Sequence, residues 1–257
     1  MNNKEIFIAL STIVRREIRR FTRIWAQTLL PPAITMSLYF VIFGNLIGSR
    51  IGQMGGFSYM EFIVPGLIMM SVITNSYSNV VSSFYSAKFQ GNVEEMLVSP
   101  MPNWVILVGY IMGGMARGIM VGFIVTILSL FFTDLQLHSV LVIMVVTLLT
   151  SMLFATGGFI NAMLANSFDD VSIVPTFILT PLTYLGSVFY SISLLPEFWQ
   201  GISQLNPILY MVSTFRYGFL GTSDINIFIA LAVIVVMTVG LFICALQMLN
   251  KGKGIRS

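Results

Sequence analysis

Cysteine, histidine and charge are nearly missing from this chain, and each shortage argues against a class of function. Cys244 is the only cysteine, so no intrachain disulfide and no cysteine-held metal cluster can form. His138 is the only histidine, and G-x-x-x-x-G-K-[ST], H-E-x-x-H and G-x-S-x-G do not occur. The chain therefore carries no phosphate-cradling loop of the usual kind, and an intramembrane hydrolase would lack its catalytic set. Charged residues occupy 9% of the 257 positions, against about 25% in an ordinary soluble domain. A soluble fold of this length needs far more polar surface. A basic N-terminal segment leads into the first apolar run without a small-x-small site, so no cleaved signal peptide is expected.

Apolar residues, at 56% of the chain, fall into six long runs: Thr28–Ile47, Tyr59–Val81, Trp104–Phe132, Ser139–Leu164, Val171–Tyr190 and Ile227–Leu249. Each is near the length of about 20 residues that a helix needs to cross a bilayer. The expected fold class is all-α, a polytopic membrane protein of six transmembrane helices forming one domain over residues 1–257. Six crossings put both termini on one side, and lysine and arginine say which. Lys4, Arg15, Arg16, Arg19, Arg20, Arg23, Lys88, Lys251, Lys253 and Arg256 fall to that side, with only Arg50 and Arg216 opposite. Positive charge stays inside, so both termini are expected to be cytoplasmic, with Ser82–Asn103 inside and Ser191–Asn226 outside.

Residues 1–26 hold an amphipathic helix, Lys4 to Arg23, in which Ile6, Leu10, Ile13, Ile18, Phe21 and Ile24 recur at helical spacing beside five arginines. Such a helix lies along the inner membrane surface with its guanidinium groups among anionic lipid headgroups. A nucleic-acid-binding arm is the alternative reading, but an apolar face running into a span argues against it. The cytoplasmic segment 82–103 contains Asn92-Val93-Glu94-Glu95-Met96-Leu97-Val98-Ser99-Pro100. Asn92 with Glu95 reads as a capping box, Glu94 and Glu95 suit the positive end of a helix dipole, and Pro100 and Pro102 end the helix. A short helix here either connects two spans or offers a surface for another protein to push on.

Arg117 is the one charge expected deep within a span, and burying it unpaired costs on the order of 3 kcal/mol. It ties its span to a carboxylate (Asp169, Asp170, Glu94 or Glu95) or to the inner headgroups, or else it lines a path. The outer segment 191–226 is half apolar, and Pro196 and Asn206-Pro207 punctuate it into two short helices that dip back into the membrane. Tyr39, Phe43, Phe62, Tyr184 and Phe189 are candidates to line a path for an amphipathic molecule, though aromatics in spans also serve as packing or interface anchors.

Taken in order, Phe62-Ile63-Val64-Pro65-Gly66, the 92–100 segment, Pro181-Leu182 with Gly186-Ser187-Val188-Phe189-Tyr190, then Leu195-Pro196, Trp199, Asn206-Pro207, Tyr210 and Arg216, make the chain resemble the ABC-2 type transporter permease family over essentially its whole length. That resemblance implies a permease subunit of an ATP-binding cassette exporter in the bacterial inner membrane. It implies an N-terminal connecting helix, a coupling helix after the second span, and a re-entrant outer segment after the fifth. The working unit it implies is a homodimer with two copies of a separate ATPase that binds ATP and Mg, while this chain binds no cofactor and no nucleic acid. ATPase coupling then falls to Asn92, Glu94, Glu95, Met96 and Leu97, and the outer gate to Pro196, Phe198, Trp199, Asn206, Pro207 and Arg216. The family exports drugs, polysaccharides and lipid-linked glycans. Two rival classes remain at this stage, an ion-coupled secondary transporter and a membrane scaffold subunit. Against the first, no titratable relay is visible near the centre of the spans.

Overall fold

The computed structural model describes residues 2–254, so Arg256 of the basic C-terminal tail lies outside the described residues. Helix α1 (Asn3–Arg23) begins with a capping box in which Asn2 accepts from the Asn3 N–H at 2.7 Å and Glu5 accepts from the Asn2 N–H at 2.9 Å. The chain bends at Ile24 into a continuous helical rod, Trp25–Ile51. Its parts are α2 (Trp25–Thr28), α3 (Leu30–Tyr39), a π-helical stretch Phe40–Ile47 and α4 (Gly48–Ile51). Pro31 and Pro32 fall in the first turn of α3, where a missing N–H costs no internal hydrogen bond.

The glycine-rich turn after this rod is a small antiparallel hairpin, β1 (Gln53–Met54) with β2 (Phe57–Ser58), in register Gln53 to Ser58 and Met54 to Phe57. Gly55 and Gly56 both take positive φ, as a two-residue hairpin turn requires. Ser58 and Glu61 then form the capping box of α5 (Tyr59–Phe89). This helix runs eight residues beyond the expected end of its span at Val81, so much of the segment foreseen as loop is helix. After it come α6 (Asn92–Val98), α7 (Asn103–Ser129) and α8 (Val140–Leu164).

Among the described residues five helical segments are long and apolar enough to cross a membrane: Trp25–Ile51, α5, α7, α8 and α13 (Ile227–Asn250). The run expected as a fifth span, Val171–Tyr190, is shorter and broken. It comprises α9 (Phe168–Val174), a π-helical stretch Pro175–Leu179 and α10 (Thr180–Tyr184), and Leu185–Tyr190 are not helical. Pro175 and Pro181 each withdraw an N–H from the ladder, and Ser187 takes φ +59°, which turns the chain away. Those 17 helical residues reach roughly 25 Å at 1.5 Å per residue, the short end of the range of about 17–25 residues for a crossing helix. Beyond them lie α11 (Glu197–Gln204) and α12 (Pro207–Leu220).

At the centre is α5, between α7 and α8, while α1 runs along α7 and both α12 and α13 lie on α8. Within their most apolar stretches 78% of residues are buried in α5 but only 12% in Trp25–Ile51, so the first span is peripheral to its own protomer. Helix α7 meets its neighbours through small residues four apart. Gly109 and Gly113 lie under Ile13 and Glu17 of α1, and Gly114 and Gly118 lie against Val80 and Ser76 of α5. In a bilayer, where lipid is as apolar as leucine, such close backbone approach is the main attraction between helices.

Candidate functional site

Helix α6 begins differently from the sequence expectation. Its N-cap is Gly91, in the left-handed conformation with φ +76°, and Asn92 is the first helical residue, reaching Gln90 at 3.3 Å rather than capping the helix. Gly91 alone allows the tight reversal from the end of α5, which displaces the cap by one residue. Val93 is fully buried, and Met96 and Leu97 are half-buried against the core, so these three root the helix. Glu94, Glu95 and Val98 face outward, Val98 with 88% of its surface exposed. The outward set is thus Asn92, two carboxylates and a valine. Met96 and Leu97, expected in it, turn inward.

The connecting helix α1 overturns another expectation. Ile13, Glu17 and Phe21 are its buried face, and Glu17 enters the protein against Gly113. Arg16 lies 3.3 Å from one oxygen of Glu17 and Arg20 lies 3.4 Å from the other. Arg16 also donates to the Tyr110 hydroxyl at 2.6 Å, and Arg20 donates to both the backbone carbonyl and the side-chain oxygen of Asn79. These two arginines therefore serve the joint between α1, α5 and α7, and only Arg15, Arg19 and Arg23 stay free for headgroups. Burying a carboxylate beside a glycine recruits its cations inward, because a buried charge must be paired. The spacing of Gly109 and Gly113 is the sequence signal for this docking.

Arg117 makes no ion pair among the described residues. One of its terminal nitrogens donates to the Thr28 carbonyl at 3.3 Å, and its Nε is buried without a partner. None of the carboxylates foreseen for it is used. Asp170 instead caps α9: the backbone N–H of Asn166, at 2.9 Å, and then Ser167 hold its carboxyl below the usual carboxylate range. Beside Arg117 is a cavity of about 330 Å³, whose polar wall includes Gln27, Thr35, Thr74, Asn75 and Ser78.

Four of the five candidate path aromatics meet. Phe189 lies 4.8 Å from Phe43, 6.1 Å from Tyr39 and 5.9 Å from Tyr184 between ring centroids, a cluster bridging the first span and α10. The Tyr59 hydroxyl holds the Phe189 carbonyl at 3.1 Å. Phe62 is the exception, because it is buried beneath the Arg216 guanidinium at 3.8 Å.

The outer segment has the punctuation its sequence implied. Pro196 is the N-cap of α11, and Asn206 caps α12 by accepting from Ile208 at 3.0 Å, with Pro207 in the first turn. Its halves nevertheless differ. Phe198, Trp199 and Leu205 on and just after α11 are exposed, whereas α12 is an inner element. Arg216, counted among the outer-side residues, is buried. It donates to the Phe62 carbonyl at 3.2 Å and to the Ser187 carbonyl, and lies 3.7 Å from Asp224. One guanidinium thus ties α5, the 185–190 turn, α12 and the link to α13. Ser187 and Asp224 were not foreseen, and the positive φ at Ser187 leaves no local signature.

The ABC-2 type transporter family matches residues 8–220 of this chain. The inner membrane transport permease YadH of Escherichia coli strain K12 is 59% identical over 251 residues, 98% of each chain. Nodulation protein J of Rhizobium leguminosarum bv. viciae is 23% identical over 215 residues, 83% of each chain. Its counterpart in Sinorhizobium fredii strain NGR234 is 24% identical over 181 residues, 70% of this chain and 68% of that protein.

Proposed function

This chain belongs to the ABC-2 type transporter family and is an integral membrane permease of an ABC transporter, and on that premise we propose that it is the permease half of an inner-membrane exporter, driven by a separate ATPase. The working particle is two permeases with two ATPase subunits, both permease termini facing the cytoplasm. The cargo is an amphipathic molecule of the lipid, drug or glycan-lipid kind, moved between two protomers along the first span, α5 and the α9–α10 segment. The low burial of the first span supports a path and partner on that side.

The observation that carries this reading is the seat of α6. It sits at the end of the most buried of the long apolar helices, rooted by Val93, and turns Glu94, Glu95 and Val98 outward. A force on α6 reaches α5 as a rigid body, and α5 is held by Arg216 to the outer turn. Closure of the ATPase pair then shifts the outer segment through a helix rather than a flexible loop, which is the shear and hinge repertoire of switching proteins. No covalent step occurs in this chain.

The test reverses both α6 charges. Glu94→Lys with Glu95→Lys removes dipole interactions of about 0.3–1 kcal/mol per charge, so insertion and dimer formation should survive. Co-purification of the ATPase, or stimulation of its turnover in reconstituted vesicles, should fall strongly because a contact surface changes sign. Parental partner binding and parental coupled turnover at normal membrane levels would refute the role of α6.

A further inference from the structure

We propose that the cavity beside Arg117 binds the anionic headgroup, phosphate or carboxylate, of the amphipathic molecule this permease moves. The proposal rests on the exporter reading for its cargo and on the cavity for its chemistry. Arg117 presents five N–H donors in a planar fork, the geometry that matches a carboxylate or phosphate. Only one donor has a partner, the Thr28 carbonyl at 3.3 Å, and the buried Nε has none. Among the described residues no carboxylate lies within ion-pair distance of it. An intramembrane cation is held by a partner, and the described residues supply no anion to it.

The walls suit the same ligand. Thr74 and Ser78 stand one helical turn apart on α5, and Gln27 and Thr35 face them from the first span. None of these four side chains makes a hydrogen bond among the described residues, which leaves hydroxyl and amide donors beside the guanidinium. At about 330 Å³ the cavity lies at the small end of the roughly 300–1,000 Å³ of small-molecule sites, room for a headgroup rather than a whole amphiphile. The apolar remainder has its own place. Tyr39 lines the cavity and also joins the aromatic cluster, its ring 5.7 Å from Phe43 and 6.1 Å from Phe189. A charged head at Arg117 and an apolar tail along Phe43 and Phe189 make one continuous amphipathic site.

The experiment uses the full-length permease in nanodiscs of nine parts phosphatidylcholine to one part phosphatidic acid, with retained lipid counted by native mass spectrometry. The parent should retain phosphatidic acid well beyond its share of the bilayer. Arg117→Gln should lower that retention roughly tenfold, in line with the loss of a charge-assisted hydrogen bond, and Arg117→Lys should lower it less. Thr74→Ala with Ser78→Ala leaves the Arg117–Thr28 contact in place and should still cut retention severalfold, which guards against misfolding of the arginine variants. Equal retention by the parent and both variant sets would overturn the site. Displacement of the lipid by inorganic phosphate would mark a site for the free anion and overturn the amphiphile assignment. Reconstitution with the ATPase separates the two readings. Selective retention without ATP-driven movement of phosphatidic acid or of any other amphiphile would keep the site and refute the exporter. ATP-driven export that Arg117→Gln leaves untouched would do the reverse.

Discussion

Replacing Arg216 tests whether the outer clamp holds the protein together. Arg216→Met keeps much of the side-chain volume and removes every donor. The Phe62 and Ser187 carbonyls then lose a charged partner in a buried setting. Hydrogen bonds to a charged group are worth about 1.5–3 kcal/mol each, so two of them set a loss of about 3–6 kcal/mol. Loss of the stacking contact with the Phe62 ring, 3.8 Å away, adds to it. Asp224 is a weaker partner, at 3.7 Å with 21% of its side chain exposed, so Asp224→Asn should cost less than Arg216→Met. Arg216→Lys should fall between, because an ammonium cannot reach both carbonyls in the fork geometry. The assay heats purified protein in detergent and follows the fraction that stays monodisperse, with denaturant series for each variant. A Met variant as stable as Asp224→Asn, or a Lys variant as stable as the parent, would refute the reasoning.

Other expectations follow from single contacts. A methyl at Gly66 would lie 2.7 Å from the Val188 carbonyl, so Gly66→Ala should destabilise by about 1–3 kcal/mol and Gly66→Val more, read by the same heating assay. In a Cys244→Ala background, a cysteine at Ser193 should react with a membrane-impermeant thiol reagent in intact cells, and one at Glu94 only after permeabilisation; both positions are exposed, and the reverse pattern would overturn the topology. Cysteines at Phe198 or Leu205, cross-linked between protomers, should stop transport while ATPase binding persists, and normal transport in a fully cross-linked sample would make α11 a passive surface.

What the sequence disclosed and what it hid divide by the range of the interaction. Apolar runs fixed by bilayer thickness gave α5, α7, α8 and α13 within a few residues at most ends, and the Pro-Pro pair marked the start of α3. Asn206-Pro207 predicted a helix boundary because both the cap and the ring act locally. The end of the fifth run was placed too far along because hydropathy counts Gly186–Tyr190 as apolar, whereas the Ser187 turn stops its helix at Tyr184. Glu17 was hidden for another reason. Its face is amphipathic, and only the glycines of α7, far along the chain, make a buried carboxylate possible. Arg216 likewise looked like a loop cation until α12 folded inward. Of the site, the outward carboxylates of α6 and most of the aromatic cluster were legible, while the cavity at Arg117 needed three helices to exist at once.

The seat of Glu17 against Gly113 also sets an order of events at the ribosome. Residue 17 emerges 96 positions before residue 113, counting 113 − 17. At roughly 5–20 residues per second, the carboxylate and its arginines wait about 5–20 s for the helix that receives them. Until then the amphipathic segment can only float on the lipid surface. The first part of the chain to be made therefore waits for the third span, and its docking reports that this span has arrived.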